Sequence, residues 1–537
     1  MISNPQKQSP FKDTFFILPL LIISAAGILI FNWATSLWGL GGGSDTANYI
    51  GGARNIMAGH GYRSYGSMNP ITQWPPLFSF SLAVIGLTGI DPLDGARLLH
   101  TLLFGINIFI VGFILKKMTQ STAIALLGGW MMLTSTAMIH THGMAMSEPW
   151  FIFLGFTGFF FLIRYLEEGP KKFFFYGVFF TGIACIDRYA GIALIAAGTL
   201  LILFFIPRSF LNRLKIGTAF AALSSVPLGF WLLRNQLLAQ NLVSRAYHFS
   251  WPSKKYGLEV LNTFSSWILP IQVPPEIRYP AFIFAATLGM VVVISVALKE
   301  IRSDHAQGFI LPASLRFAIL MMLFIACNLG LELALRMFVD PHAHANDRHF
   351  SAIFVAGLMG FLVLTDQLLK LYPGRRWLKG GVILLFSLLA GSYLFGAAQK
   401  YKLLYQEGGG RHTARIWKIS PTLAKVKTLP PDALIYTNEP AILYLNANRT
   451  ALSLPKKYDK RYTPDNQPPK PNEKYPEKIE KIREKLLKKD GYVVFFDKRA
   501  RWYTNTKKDI QQDLSLIPVY QLRDGTLYKV NESAGLQ

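Results

Sequence analysis

At 537 residues, 51% hydrophobic and with a mean hydropathy of +0.30, the chain has the composition of an integral membrane protein and not of a soluble enzyme. The net charge of +24 does not point to nucleic acid. The basic residues sit in short loops between apolar runs and in the last quarter, with no DNA- or RNA-binding pattern around them, so anionic lipid head groups and phosphates are the partners that suit them.

The chain opens with Lys7 and Lys12 ahead of a long apolar stretch, Phe15 to Trp38. That stretch is too long for a signal peptide and has no small-residue cleavage site, so it reads as a retained span and signal anchor. Runs of about 20 apolar residues, enough to cross about 30 Å of hydrocarbon, recur along the first three quarters. The predicted spans are roughly 14–37, 97–115, 122–139, 148–164, 173–186, 190–206, 215–233, 279–298, 313–333, 351–369 and 379–397, eleven in all. The apolar piece 77–90 begins just after Pro75 and Pro76 and is short, so it reads as partly inserted or interfacial.

Between the first span and that piece lies Gly41 to Pro76, too polar for lipid and rich in Gly, Asn, Ser and aromatic residues. Asp45 stands near its start, a few residues beyond the span, where a lipid-borne substrate would present its head group. A carboxylate there can serve as a general base. Equally, Ser44 or Asp45 can cap the helical pattern that follows, Ala47 to Met57.

Further along, Ser147, Glu148 and Pro149 begin a span. Pro suits a first helical turn and Glu the positive end of the helix dipole, while an ionisable group at a span entrance is also a functional candidate. Asp187, Arg188 and Tyr189 interrupt the apolar stretch Phe173 to Phe205. The adjacent Asp and Arg form either a self-neutralising turn or, through the forked donors of Arg188, a phosphate contact. The loop Arg234 to Arg278 carries Tyr247, Trp251, Tyr256 and Trp267, which suit the head-group interface. The loop Arg336 to His349 gathers His342, His344, Asp347, Arg348 and His349. Its His pair raises a divalent metal, although His-x-His in a loop is a weak signal, no HExxH is present, and a cationic phosphate patch fits better.

From about Gln399 the chain becomes Lys- and Pro-rich and loses its long apolar runs, so 399–537 reads as a separate water-soluble domain after a membrane domain, 1–398, whose first outer loop is 38–76. Strand-like runs (Ala433 to Tyr436, Tyr492 to Phe496, Leu516 to Tyr520, Thr526 to Val530) and a helical segment, Pro476 to Leu487, make it a small α/β domain. Lys456 to Lys478 reads as a flexible loop.

Charge then orients the spans. With the N-terminus cytoplasmic, the inner loops are Lys116 and Lys117, Arg164 to Lys172, Arg208 to Lys215, Lys299 to Arg316, and Lys370 to Lys379. The outer loops hold Asp45, His140, His142, Glu148, Asp187, Asp340, His342, His344 and Asp347. The count sends the C-terminal domain to the periplasm or the extracellular side of an inner or plasma membrane.

Asp45, Thr46, Ala47, Asn48 and Tyr49, then Ala53, Arg54 and Asn55, Gly59, His60, Gly61 and Tyr62, and Trp74, Pro75, Pro76 and Leu77 together resemble the first outer loop of the GT-C glycosyltransferases. The likeness is to the branch of protein mannosyltransferases and lipid A aminoarabinose transferases. Ser147 to Pro149, Arg188 to Gly191, Trp231 to Asn235, Arg348 with His349, Ile435 to Asn438, and Asn448 with Arg449 fall where that branch has similar elements. The resemblance implies a GT-C fold of about eleven membrane helices with a C-terminal soluble α/β domain. It implies transfer of a hexosyl or pentosyl group from a polyprenyl-phosphate donor to a lipid, glycan or protein acceptor, by inverting displacement, with Asp45 deprotonating the acceptor hydroxyl. Arg188, Arg348 and Arg54 or His349 would hold the departing phosphate; Glu148 would shape the site or position the acceptor; Tyr49, His60, Tyr62 and Tyr189 complete the expected substrate contacts. The protein mannosyltransferases carry paired Asp and Glu where this chain has Asp45 and Thr46, so a surface-glycan or lipid acceptor suits it better.

Membrane lipids are the other expected partner, and no cofactor is expected beyond the metal reading. Gly41 to Gly43 neither follow a strand nor lead into a phosphate-binding lysine, in keeping with a lipid-linked and not a nucleotide donor. The rivals are a transporter or flippase for lipid-linked glycans, against which stands the lack of an internal repeat, and a non-catalytic assembly or receptor protein.

Overall fold

A computed structural model describes residues 16–244, 247, 249–303, 311–339, 345–458, 470–497 and 504–531. In chain order its elements are α1 (Ile17–Ala34), α2 (Ser44–Met57), α3 (Leu77–Gly86), α4 (Pro92–Thr119), α5 (Thr122–Thr134), α6 (Thr136–His142), α7 (Glu148–Glu168), α8 (Lys171–Cys185), α9 (Gly191–Phe205), α10 (Phe210–Ala239), α11 (Lys254–Ser266), α12 (Pro275–Ser303), α13 (Ala313–Phe338), α14 (Ser351–Leu371) and α15 (Arg376–Glu407). After them come α16 (Arg415–Lys418), α17 (Pro421–Lys427), β1 (Ile435–Thr437), α18 (Pro440–Ala447), β2 (Leu452–Ser453), α19 (Tyr475–Lys488), β3 (Tyr492–Phe496), α20 (Lys507–Asp513), β4 (Leu516–Leu522) and β5 (Gly525–Val530).

Each predicted span meets a helix, but the count of eleven crossings is not established. Seven described helices are long and apolar enough to cross a membrane, or eight if the bent pair α5 and α6 is one span. At 15 residues apiece, α8 and α9 rise only about 22 Å against the ~30 Å core. Residues 122–142 bend by 59°. The break falls at Ser135, an extended residue whose side chain accepts a hydrogen bond from Met138 N and so starts a second helix. The 77–90 piece forms the ten-residue α3, too short to span.

The chain divides into two compact units, one of residues 1–37 and 70–405, the other of 38–69 and 406–537. The first is a helical bundle. Its tightest approaches use small residues: a Cβ on Gly105 of α4 would lie 2.5 Å from Ile28 Cγ1 and 2.9 Å from Ser24 O on α1. The predicted inner loops gather at one end of this bundle. Arg208 lies over the Tyr165 ring, 5.8 Å from its centroid. Arg316 Nη2 is 3.8 Å from Glu167 Oε1, and Lys370 Nζ donates to Thr119 O at 2.6 Å.

The second unit is a layered α/β domain around a mixed five-stranded sheet, order β2-β1-β3-β5-β4, with β2, β1 and β3 parallel and β3, β5 and β4 antiparallel. Alternation along β3 feeds two cores. Val493 and Phe495 pack with Ile479, Ile482, Leu486 and Ile510 from α19 and α20, while Val494 and Phe496 pack with Trp417, Leu423, Val426 and Ile442 from α16, α17 and α18. The predicted strands and helix of this region are all present, each within two residues of its expected bounds; β1 starts at Ile435 and runs to Thr437. Of the predicted flexible loop, 459–469 lies outside the described residues, and Tyr458 pairs with Pro471 in an isolated antiparallel bridge.

Candidate functional site

At the end of the bundle opposite the basic loops, three chain segments converge on Glu148. Ser147 precedes α7 as its N-cap and Glu148 and Pro149 form its first turn, so the carboxylate sits at the helix's positive end, 2% exposed. Arg188, in the turn between α8 and α9, places Nη1 2.7 Å from Glu148 Oε1 and 3.3 Å from Ser147 Oγ. Arg348 Nη1 is 3.4 Å from the same carboxylate oxygen. Asn346 holds the turn that carries Arg348: its Oδ1 accepts from Arg348 N at 3.1 Å and from His349 N at 3.4 Å. Arg348 Nη2 and His349 Nε2 are 2.9 Å apart, a geometry that fits a neutral ring accepting from the guanidinium.

Asp187 does not neutralise its neighbour Arg188, which turns to Glu148 instead. The Asp187 carboxyl is fully buried and neither oxygen has a hydrogen-bond partner among the described residues. That burial pushes it well above the usual carboxylate range, toward the neutral acid, against the nearby charge of Arg188. Arg188 and Arg348 both contact the Glu148 carboxylate, and forked guanidiniums held in this way are suited to binding an anion.

Tyr189 is anchored in the protein. Its hydroxyl donates to Thr72 O at 2.8 Å and accepts from Trp231 Nε1 at 2.9 Å. Arg234 Nη1 donates to Ile71 O at 2.7 Å and Asn235 Nδ2 to Leu242 O at 2.8 Å, so α10 pins the segment leading to α3. Behind Glu148 lies a buried network that composition alone did not reveal. Asn107 Nδ2 reaches His142 Nε2 at 3.1 Å and Pro149 O at 3.0 Å, and His100 Nδ1 donates to His142 O at 2.8 Å. His142, expected in an outer loop, is instead the buried last residue of α6 and fixes the entry to α7. His140 lies 3.8 Å from Asp347, which accepts from Trp267 Nε1 at 3.1 Å. His342 and His344 lie outside the described residues, among which no cluster of three or more metal-ligating side chains occurs.

The other candidates belong to the second unit. Asp45 is half-buried in the first turn of α2. Gly43, not Ser44 or Asp45, is the N-cap, and its N–H donates to Thr46 Oγ1 at 3.0 Å. Arg54, nine residues on, lies about 13 Å further along the helix axis. It donates to Asn448 Oδ1 at 2.8 Å and sits 5.0 Å over the Tyr444 ring. Tyr49 and Tyr62 are buried, and His60 is exposed beyond the end of α2. Arg54 and His60 are thus not brought to Asp45. Tyr65 packs against Tyr444 with the rings tilted by 31° and centroids 4.5 Å apart; burial, with Tyr444 and Glu439 adding to it, pushes its hydroxyl up to about 12. Gly51 permits this: a Cβ there would be 2.5 Å from Tyr65 Cβ.

Arg411 was not anticipated. The runs Gly41 to Gly43 and Gly408 to Gly410 lie side by side, with His412 N donating to Gly42 O at 2.7 Å. Arg411 adopts φ +56°, rare outside glycine, and its side chain lies along Gly43 at the start of α2. The repeated Gly-Gly-Gly was the available signal. Beside it, Ser44, Tyr65, His412, Glu439, Lys456 and Asn505 line a polar cavity of about 350 Å³, where His412 Nε2 is 3.5 Å from Glu439 Oε2.

A helical bundle followed by a C-terminal α/β domain is a fold that this chain shares with solved structures of ArnT and of an archaeal oligosaccharyltransferase. The crystal structure of ArnT from Cupriavidus metallidurans bound to undecaprenyl phosphate matches with a TM-score of 0.57 at 11% identity, over 95% of this chain and 98% of that one. The archaeal oligosaccharyltransferase AglB from Archaeoglobus fulgidus, in complex with an inhibitory peptide and a dolichol-phosphate, matches at 0.51 and 14% identity, over 91% and 70%. The apo form of the Archaeoglobus fulgidus oligosaccharyltransferase matches at 0.51 and 13%, over 98% and 75%. No protein-family model matches the sequence, and no curated protein matches it.

Proposed function

We propose that this protein is a membrane glycosyltransferase that moves a sugar from a polyprenyl-phosphate donor to a lipid, glycan or protein acceptor at the outer face of the membrane. The observation that carries this reading is the pair Arg188 and Arg348 on the buried Glu148, a cationic centre at the end of the bundle away from the basic loops. Undecaprenyl phosphate on ArnT and dolichol-phosphate on AglB, two proteins of the same fold, support a lipid-phosphate ligand.

The leaving group would be a phosphate, which needs cations and no proton. Arg188 and Arg348 supply them, while Glu148 holds both guanidiniums in place. The acceptor hydroxyl needs a base within hydrogen-bond reach. Asp45 takes that role by its place in the first outer loop, and the displacement inverts the anomeric carbon: the acceptor oxygen bonds to it as the carbon–phosphate oxygen bond breaks, and the acceptor proton passes to Asp45. The N-terminus is cytoplasmic and the C-terminal domain outside, in an inner or plasma membrane.

The test is a transfer assay with purified wild-type and Asp45→Asn protein, a panel of radiolabelled polyprenyl-phosphate sugars and an envelope acceptor extract. Label should reach the acceptor with the wild type, and the variant should be slower by about 10²–10⁴-fold, the range for a lost general base. Full activity in folded Asp45→Asn protein removes Asp45 from the mechanism. No transfer from any donor by folded wild-type protein sinks the transferase reading.

A further inference from the structure

An apolar groove of about 300 Å³ runs between α12, α14 and α15, far along the bundle from the Glu148 centre. Leu288, Phe361, Leu368, Trp377, Val382 and Phe386 are among its walls. Gly289 on α12 and Gly381 on α15 face it, and a Cβ built on either would meet no atom within 4 Å. The absent side chains on two different helices therefore make room that neighbouring residues do not fill. From Trp377 to Phe386 the lining covers about 13 Å of helix, close to the ~15 Å depth of one leaflet's hydrocarbon.

One end of the groove is charged. The turn 372–375 joins α14 to α15, and Arg375, Arg376 and Lys379 are exposed or half-exposed at it. None of these three has an ion pair among the described residues, whereas Lys370 nearby is paired with Asp366 at 2.6 Å. Trp377 is 72% exposed beside them, the place for an interfacial aromatic. Lys370 bonded to Thr119 O puts this turn at the basic end of the bundle.

We propose that this groove binds an anionic phospholipid of the adjacent leaflet, with an acyl chain between α12, α14 and α15 and the phosphate on Arg375, Arg376 and Lys379. Any lipid tail satisfies the apolar walls; the three cations select the head group. The site is separate from the donor centre and does not depend on the transferase reading.

The experiment is native mass spectrometry of the full-length protein with equimolar phosphatidylglycerol and phosphatidylcholine. The wild type should retain phosphatidylglycerol with a preference of roughly tenfold or more, as expected for several cations near an anionic head group. The triple variant Arg375→Gln, Arg376→Gln, Lys379→Gln should lose the preference but keep weak binding of both lipids. Gly381→Leu, which fills the groove and leaves the cations, should lower retention of both; Gly289→Leu, entering from the opposite wall, serves if Gly381→Leu does not fold. Soluble glycerol 1-phosphate should not compete. Equal retention of the two lipids by the wild type, an undiminished preference in the triple variant, unaltered retention in the folded glycine variants, or competition by glycerol 1-phosphate would each overturn the proposal.

Discussion

Glu148 draws its two cationic partners from turns 160 residues apart in sequence, one after α8 and one before α14. Held this way, Arg188 and Arg348 lose little freedom when an anion arrives, because the carboxylate has already fixed their forks. On the proposed function, replacing either with Ala would remove a charge-assisted contact to the donor phosphate, so the apparent KM for the lipid donor should rise by roughly 10–100-fold, with less effect on the acceptor. Steady-state kinetics with varied donor checks this, and unchanged donor kinetics in both variants would remove the phosphate role. Sequence reading reached Arg188, Glu148 and Arg348 as separate candidates. It left Arg188 between two partners because Asp187 is its neighbour in the chain; folding separates adjacent side chains and brings Glu148 across instead. Arg411 stayed hidden because only a contact across more than 350 residues gives it a place beside Gly43.

Among the elements, the apolar helices were legible because a span's signal lies in composition over about 20 residues. What composition leaves open is where a run breaks, and so 122–139 read as one span although Ser135 caps a second helix within it. The second unit depends on closer fits. Gly51→Ala would press a methyl into Tyr65, 2.5 Å from its Cβ and 3.2 Å from its Cα, and a backbone neighbour cannot rotate away. The loss should be about 1–3 kcal/mol, seen as a lower thermal midpoint of the full-length protein; an unchanged midpoint would mean that the loop shifts freely. On α20, Asp509 accepts from Lys457 Nζ at 2.7 Å and from the Thr506 backbone and hydroxyl, and the lysine foremost holds its carboxyl down to about 2. An unfolded Asp titrates near 3.9. A depressed pKa contributes stability above that value and loses it as pH falls through about 2. Lys457→Met should therefore lower the thermal midpoint at pH 5 to 6, and the gap from wild type should close on approaching pH 2. A gap that stays constant across that range would show the pair contributes nothing through its charge.

Within the helical unit, the grouping of basic loops shows in contacts between them: Arg208 with Tyr165 and Arg316 with Glu167 tie three loops together, and Lys370 with Thr119 ties two more. That grouping was legible in the sequence, because Lys and Arg recur in alternate short loops. The number of crossings was less legible, since 15-residue helices and a bent pair satisfy an apolar pattern without each having the length to cross. Single cysteines placed at Lys379 and at Lys488, in a background lacking Cys185 and Cys327, should be closed and open respectively to an impermeant thiol reagent added outside intact cells. Labelling at Lys379 alone would invert the topology and with it the proposed outer-face chemistry.

The pairing of the two glycine runs also sets a timetable for biogenesis. Leu40 O receives its hydrogen bond from Thr413, 373 residues later, and Arg54 meets Asn448 394 residues later. At about 5–20 residues per second of synthesis, the segment that carries Asp45 waits roughly 20–80 s for these partners to be made. Through that interval the polar loop 38–69 follows α1 yet lacks the partners that it meets in the folded domain, so it should be open to proteases and chaperones. Acquisition of activity should accordingly trail insertion of the first helix and coincide with completion of the final domain.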